Sequence, residues 1–274
     1  MWSREHADGV MSWGSSGPPL QGKVAVVTGS SRGIGRAIAR RLARDGALVV
    51  VNYVVNADAA SEVVSGIEAG GGEAFAVGAD VSSKAGIQAL FATCDAELRA
   101  RRGDNGIDIL VNNAGAGRFG GPADTTEEIF DLVFAADVKG PFFVTQAAIP
   151  RLRDGGRVIT ISSGRSKRPT ASTAAYCMAK AAVDTHIVML AAELGERRIT
   201  ANVLAPGWTV TDQSEEFLGD DTNQREIAAA TALRRLGQPD DIAAVAAFLA
   251  SDDGRWVTGQ YVEASGGFDL VAVR

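Results

Sequence analysis

The sequence predicts one α/β domain built on a doubly wound, seven-stranded parallel sheet with helices on both faces. Three observations carry that expectation. Short apolar, mostly β-branched runs alternate along the chain with longer helical patterns, the order expected of successive βαβ units. The runs are continuously apolar, as strands covered on both faces require. At 274 residues, 46% hydrophobic and 22% charged, the chain can bury a large core and still falls within the range of one domain.

Taken in order, strands are expected at VAVVT (24–28), LVVVN (48–52), EAFAV (73–77), IDILV (107–111), RVITIS (157–162) and ITANVLA (199–205), with a seventh near 259–264. Helical patterns lie between them at about 33–45, 57–69, 83–102, 126–150, 175–197, 224–234 and 240–250. Right-handed crossovers place a ligand crevice outside the carboxyl ends of such strands, so the residues that act should lie in the loops after strands. The longest of these, about 208–223, stands over the crevice. Residues 1–21 are rich in Ser, Gly and Pro and lack the continuous apolar segment of a secretory signal; they read as a flexible tail ahead of a domain at 22–274, and Met11 leaves the start open.

Composition narrows the partners. A net charge of −6 gives no basic face for a phosphate backbone, so nucleic acid is not expected. No apolar run nears the roughly 20 residues of a membrane span, and Ala243–Ala250 is far too short. Cys94 and Cys177 have no partner at redox or metal-ligand spacing, which fits a reducing, cytoplasmic compartment and makes Cys177 a packing residue. His6 and His186 lack the neighbours of a zinc site or a histidine-centred triad, and no metal is assigned.

Thr28-Gly29-Ser30-Ser31-Arg32-Gly33-Ile34-Gly35 follows the first strand directly and opens the first helix. Glycines there let the backbone turn sharply and approach a pyrophosphate, whose charge the helix amides hold; Ser31 and Ile34 belong to the same loop. Tyr176 and Lys180 are four residues apart on a helical pattern and share a face. A tyrosine with an ordinary pKa near 10 needs such a positive neighbour to serve as acid or base near neutral pH. Ser163, at a strand end, can hydrogen-bond a substrate oxygen. Its neighbour Ser162 should point to the opposite face and is the lesser candidate.

The TGxxxGxG spacing resembles that of the short-chain dehydrogenase/reductase family, whose Rossmann fold matches the predicted sheet. Further marks follow in order at Asp80-Val81, Asn112-Asn113-Ala114-Gly115, Ser162-Ser163, Tyr176 to Lys180 and Pro206-Gly207, from about Lys23 to Phe268. The resemblance implies an NAD(P)-dependent enzyme acting on a small-molecule carbonyl or alcohol. It puts Asp80 and Val81 at the adenine, Asn113 at the adenosine ribose, and Thr209 and Thr211 near the nicotinamide amide and phosphates. It gives Ser163, Tyr176 and Lys180 the catalytic roles, with Lys180 also meeting the nicotinamide ribose. It also implies a homotetramer, or a homodimer, packed through the helices at 126–150 and 175–197, whose faces include Phe142 and Phe143. The fourth catalytic position, an asparagine in the family, is Asp137 here, which adds a negative charge beside the relay and should alter the pH profile.

The second strand ends Val51-Asn52-Tyr53-Val54, so Asn52 and Tyr53 stand where an NAD-type site carries an acid; Asp58 comes five residues later and reads as solvated. With no carboxylate to repel a 2′-phosphate and Arg32 offering a charged fork, NADP(H) is favoured over NAD(H). Two other readings stay open: a weakly catalytic nucleotide-binding protein with a regulatory or scaffolding role, and chemistry such as epimerisation or dehydration. The substrate stays open too. Arg165, Lys167 and Arg168 would favour an anion unless they are simply solvated, whereas Asp212, Glu215, Glu216, Asp220 and Asp221 point the other way.

Overall fold

The computed structural model describes residues 17–212, 214 and 218–270. Strands β1 (Val24–Val27), β2 (Leu48–Tyr53), β3 (Glu73–Gly78), β4 (Ile107–Asn112), β5 (Leu152–Ile161), β6 (Thr200–Pro206) and β7 (Tyr261–Ala264) form one sheet in the order β3-β2-β1-β4-β5-β6-β7. Every neighbouring pair is parallel. From β1 the chain steps outward to β3, then returns to the other side of β1 and steps outward again. The reversal lies between β1 and β4, and the crevice opens there.

The helices are α1 (Gly33–Arg44), α2 (Ala57–Ala69), α3 (Lys84–Arg102), α4 (Glu127–Phe134), α5 (Gly140–Ala148), α6 (Ala174–Leu194), α7 (Asp221–Ala230) and α8 (Pro239–Ala250). The two-residue period of β1 shows why its run had to be apolar throughout. Ala25 and Val27 pack into a core with α1, α2 and α8, while Val24 and Val26 pack into a second core with α3, α5 and α6. Cys94 is buried in the second of these, and burial pushes its thiol up to about 12, which suits a packing residue.

Several boundaries differ from expectation, each for a local reason. The single helix expected at 126–150 is α4 and α5 joined by a π-helical turn, Ala135–Lys139, which carries Asp137. The helix expected at 224–234 runs from Asp221 to Ala230, because the Asp220 carboxylate accepts the amides of Thr222 and Asn223 at 3.0 Å and starts it early. β5 begins at Leu152, where it pairs with Ile107 before a register shift brings Arg157 opposite Ile109. Leu20, assigned by sequence to the tail, is 2% exposed, and its amide donates to Asp45 O at 2.7 Å. Packing of the chain therefore begins ahead of residue 22. Residues 1–16 of the expected tail, and the acidic Glu215 and Glu216, lie outside the described residues.

Candidate active site

The glycine loop is shaped by how closely it must approach the start of the loop after β4. Gly29 and Gly33 have left-handed φ values of +60° and +54°. A Cβ on Gly29 would stand 2.9 Å from Ala114 Cα, and one on Gly35 would collide with the Asn113 side chain and the Gly29 carbonyl. Polar groups brace the contact. Thr28 Oγ1 accepts the amides of Asn113 and Ala114 at 3.0 and 3.1 Å, and Asn113 Nδ2 donates to the carbonyls of Thr28 and Gly29 at 2.9 Å. The N-cap residue Arg32 makes no side-chain bond to the first amides of α1. Those amides and the tight glycines form the kind of cradle that accepts a pyrophosphate, so the residues present fit a dinucleotide.

A cavity of about 1530 Å³ runs along the carboxyl ends of the strands, from Arg32 and Tyr53 on one side to Trp208 and Phe268 on the other. That volume exceeds the roughly 300–1,000 Å³ of a pocket for one small ligand. The structure brings to it Gly29, Ser31, Arg32, Gly33, Ile34 and Gly35, then Tyr53, Asn113, Ala114 and Gly115. Asp137, Ser163, Tyr176 and Lys180 line its middle, with Pro206, Gly207, Thr209 and Thr211 behind them.

Three expected cofactor contacts, Asn52, Asp80 and Val81, do not line this cavity. Asn52 is wholly buried; its Oδ1 accepts the Gly29 amide at 3.1 Å and its Nδ2 donates to Val77 O and Ala79 O, so its polar atoms are spent on the scaffold. Asp80 turns its carboxylate to the amide and hydroxyl of Ser82, at 2.9 and 2.7 Å, in the turn leading to α3. Val81 is 4% exposed and packs in the core beneath that turn.

At the end of β5 the serines separate as strand alternation requires. Ser162 Oγ donates to the buried Asp184 Oδ1 at 2.6 Å, whereas Ser163 Oγ accepts the Arg165 amide at 3.2 Å and faces the Tyr176 phenol. The Tyr176 and Phe119 rings stand nearly perpendicular, with centroids 5.0 Å apart. Lys180 is 5% exposed; its Nζ donates to Ile161 O at 3.0 Å and lies 2.8 Å from Asp137 Oδ1. Burial pushes the Tyr176 phenol above its ordinary pKa; Lys180 and Ser163 pull it down, and Asp137 pushes it up. Burial works against the Lys180 ammonium, but Asp137 and Tyr176 together hold it above its usual value.

Residues the sequence did not single out complete the far end of the cavity: Phe119, Trp208 and Phe268. They lie in loops after strands, and nothing in their spacing marks them. Of the three basic residues after Ser163, Arg168 pairs with Glu263 and Lys167 lies 3.8 Å from Asp184. Arg165 lays its guanidinium over the Phe268 ring at 5.6 Å and lines the cavity.

A family model described as enoyl-(acyl carrier protein) reductase matches residues 29–269. The chain belongs to the short-chain dehydrogenase/reductase family. An uncharacterized oxidoreductase from Methylorubrum extorquens is 44% identical over 249 residues, 90% of this chain and 98% of that protein. Elsinochrome reductase 1 from Elsinoe fawcettii is 42% identical over 259 residues, 90% and 94% of the two chains. The solved angucycline C-6 ketoreductase LanV with bound NADP superposes with a TM-score of 0.88 at 42% identity, covering 93% of this chain and 98% of that one. This short-chain dehydrogenase/reductase is accordingly an NAD(P)-dependent oxidoreductase acting on a carbonyl or alcohol group.

Proposed function

We propose that the protein reduces a ketone on a flat, ring-bearing substrate with NADPH, Tyr176 supplying the proton. The observation that carries this reading is the convergence of Ser163, Tyr176 and Lys180 on one cavity between the glycine cradle and an aromatic end. Ser163 holds the substrate oxygen beside the phenol, Tyr176 gives that oxygen its proton, and Lys180 keeps a positive charge at the tyrosine as the phenolate forms. The nicotinamide, when bound, supplies the hydride. Phe119, Trp208 and Phe268 offer apolar faces suited to planar rings.

Two further features support NADPH. Arg32 and Arg36 both line the adenosine end, against one acid, Glu62, and no carboxylate stands at the end of β2. The similar LanV ketoreductase holds NADP. Residues 22–274 serve as one catalytic domain, and copies of the chain pack as a homotetramer through the exposed Phe142 and Phe143 of α5 and Val188 and Met189 of α6. The free, buried Cys94 and Cys177 fit a cytoplasmic setting.

NADPH consumption across a panel of cyclic aromatic ketones, measured in the parent and in Tyr176→Phe, tests the proposal. Turnover in the parent and a loss of about 100-fold or more in the variant, with NADPH affinity kept, are expected. A variant as active as the parent, or a parent inert toward every ketone, overturns it.

A further inference from the structure

Asp137 is 1% exposed and divides its two carboxylate oxygens between two partners. Oδ1 lies 2.8 Å from Lys180 Nζ, and Oδ2 accepts the Ala116 amide at 3.0 Å. The division sets one oxygen as the ion-pair partner of the ammonium and the other as the acceptor of the amide. An asparagine has one acceptor oxygen and one donor NH₂ group. Turned toward Ala116, its oxygen leaves the NH₂ against the Lys180 ammonium; turned the other way, it sets the NH₂ against the Ala116 amide. Only a carboxylate satisfies both partners from this position.

The backbone is arranged for the contact. Asp137 sits in the π-helical turn Ala135–Lys139, whose wider spacing re-aims a side chain within a helix. Gly115 leaves room opposite: a Cβ there would stand 2.5 Å from Asp137 Oδ1. The carboxylate thus links the loop after β4 to α6, one helical turn from Tyr176.

The charges around Tyr176 decide what this contact does. From α6 it faces Lys180 and the buried Cys177, from the π-helical turn Asp137, and from the end of β5 the Ser163 hydroxyl. Asp184, bound to Ser162, adds negative charge near Lys180, while Lys139 on the π-helical turn is exposed. Arg165, Arg168, Asp124 and Asp212 line the outer cavity. The group that stabilises a phenolate here is the Lys180 ammonium, and a carboxylate within ion-pair distance of its nitrogen offsets much of its field at the phenol.

We propose that Asp137 is a positioning residue that draws the Lys180 ammonium into an ion pair and so keeps Tyr176 protonated through neutral pH, tuning the site toward carbonyl reduction. The inference rests on Tyr176 being the proton donor. Reduction breaks the phenolic O–H bond and passes its proton to the carbonyl oxygen; solvent then reprotonates the phenolate. Alcohol oxidation starts from the phenolate, the form that Asp137 disfavours.

The test titrates the cofactor-free protein, following tyrosinate absorbance in the parent and in Asp137→Asn. Tyr176→Phe in each background separates the Tyr176 step from those of Tyr53 and Tyr261. The Tyr176 step is expected to fall by about one pH unit or more in Asp137→Asn, a tenfold change in ionisation. The pH at which alcohol oxidation reaches half its maximum should fall in parallel. Asp137→Ala, which removes the charge without burying an amide, must give the same direction and stands in if the asparagine variant does not fold. A Tyr176 step unmoved or raised in the folded variant overturns the inference. Because this readout needs no turnover, it is distinct from a failure of the catalytic assignment, which would show as full activity in Tyr176→Phe alone.

Discussion

Asn52 Oδ1 accepts the backbone amide of Gly29 at 3.1 Å, tying the end of β2 to the first glycine of the cofactor cradle. The position is the one at which an acid would have read the ribose in an NAD-type site. Here the side chain is turned inward and its Nδ2 is shared between the carbonyls of Val77 and Ala79. Asn52→Ala strands a buried donor and acceptors together, so it should destabilise the fold by about 2–4 kcal/mol. It should also weaken cofactor binding as the loop loosens. Chemical denaturation and direct NADPH titration check both parts, and unchanged stability would show that the hydrogen bonds are not needed.

Arg32 is exposed in the glycine loop, lines the cavity and takes no part in the core. Arg32→Ala should lower kcat/KM with NADPH about tenfold or more, since a charged hydrogen bond contributes about 1.5–3 kcal/mol. The loss with NADH should be much smaller. Equal losses with both cofactors would mean that Arg32 does not read the 2′-phosphate.

Gly35 has an ordinary φ, so its role is space and not backbone freedom. A methyl group there meets the Asn113 side chain and the Gly29 carbonyl, and its distance to Ser30 Cα would be 2.9 Å. Since two of these neighbours are backbone, Gly35→Ala should displace the cradle and cost at least tenfold in cofactor affinity. Calorimetric titration with NADPH decides it, and parental affinity would show that the loop can yield.

Asp95 and Arg151 form a two-pronged pair, Nε to Oδ1 at 2.7 Å and Nη2 to Oδ2 at 2.8 Å, which joins α3 to the turn before β5. The Arg151 bond holds the Asp95 carboxyl below its ordinary pKa; burial opposes this, and Asn105 assists. A depressed folded pKa contributes stability above the unfolded value, near 3.9, and loses it as pH falls through the folded value. Asp95→Asn should therefore cost about 1 kcal/mol near neutral pH, a figure kept small by partial exposure. The gap to the parent should close below about pH 4. Denaturation at several pH values checks the trend, and a gap that widens toward acid would contradict it.

The order of elements and the glycine cradle were legible because both are local. VAVVT followed by TGxxxGxG records a buried strand, a sharp turn and a helix start within a few neighbouring residues. Tyr176, Lys180 and Ser163 were legible for the same reason: helix periodicity and strand alternation set their faces, and the family spacing singled them out. Where Asn52, Asp80 and Val81 stand relative to the cavity was not legible, because strand ends were read without their partners. The Asn52 amide is claimed by β3 and the glycine loop, and the Asp80 carboxylate by its own turn.

What the sequence determined by itself is the sheet and the cradle, since apolar periodicity and short-range turn chemistry encode them, and the candidates Ser163, Tyr176 and Lys180, which the family spacing marks. The resemblance set Asp137 beside those groups, but only the tertiary structure decided which atoms meet and at what distance. Asp137 lies 43 residues from Lys180 in the chain, yet its Oδ1 stands 2.8 Å from the ammonium, placed there by a π-helical turn that no local pattern announces. Phe119, Trp208 and Phe268 likewise meet around one cavity through loops far apart in sequence. Distances of that kind depend on how α6 and the loops after β4, β5, β6 and β7 pack together, and they are set by the whole core and not by neighbouring residues.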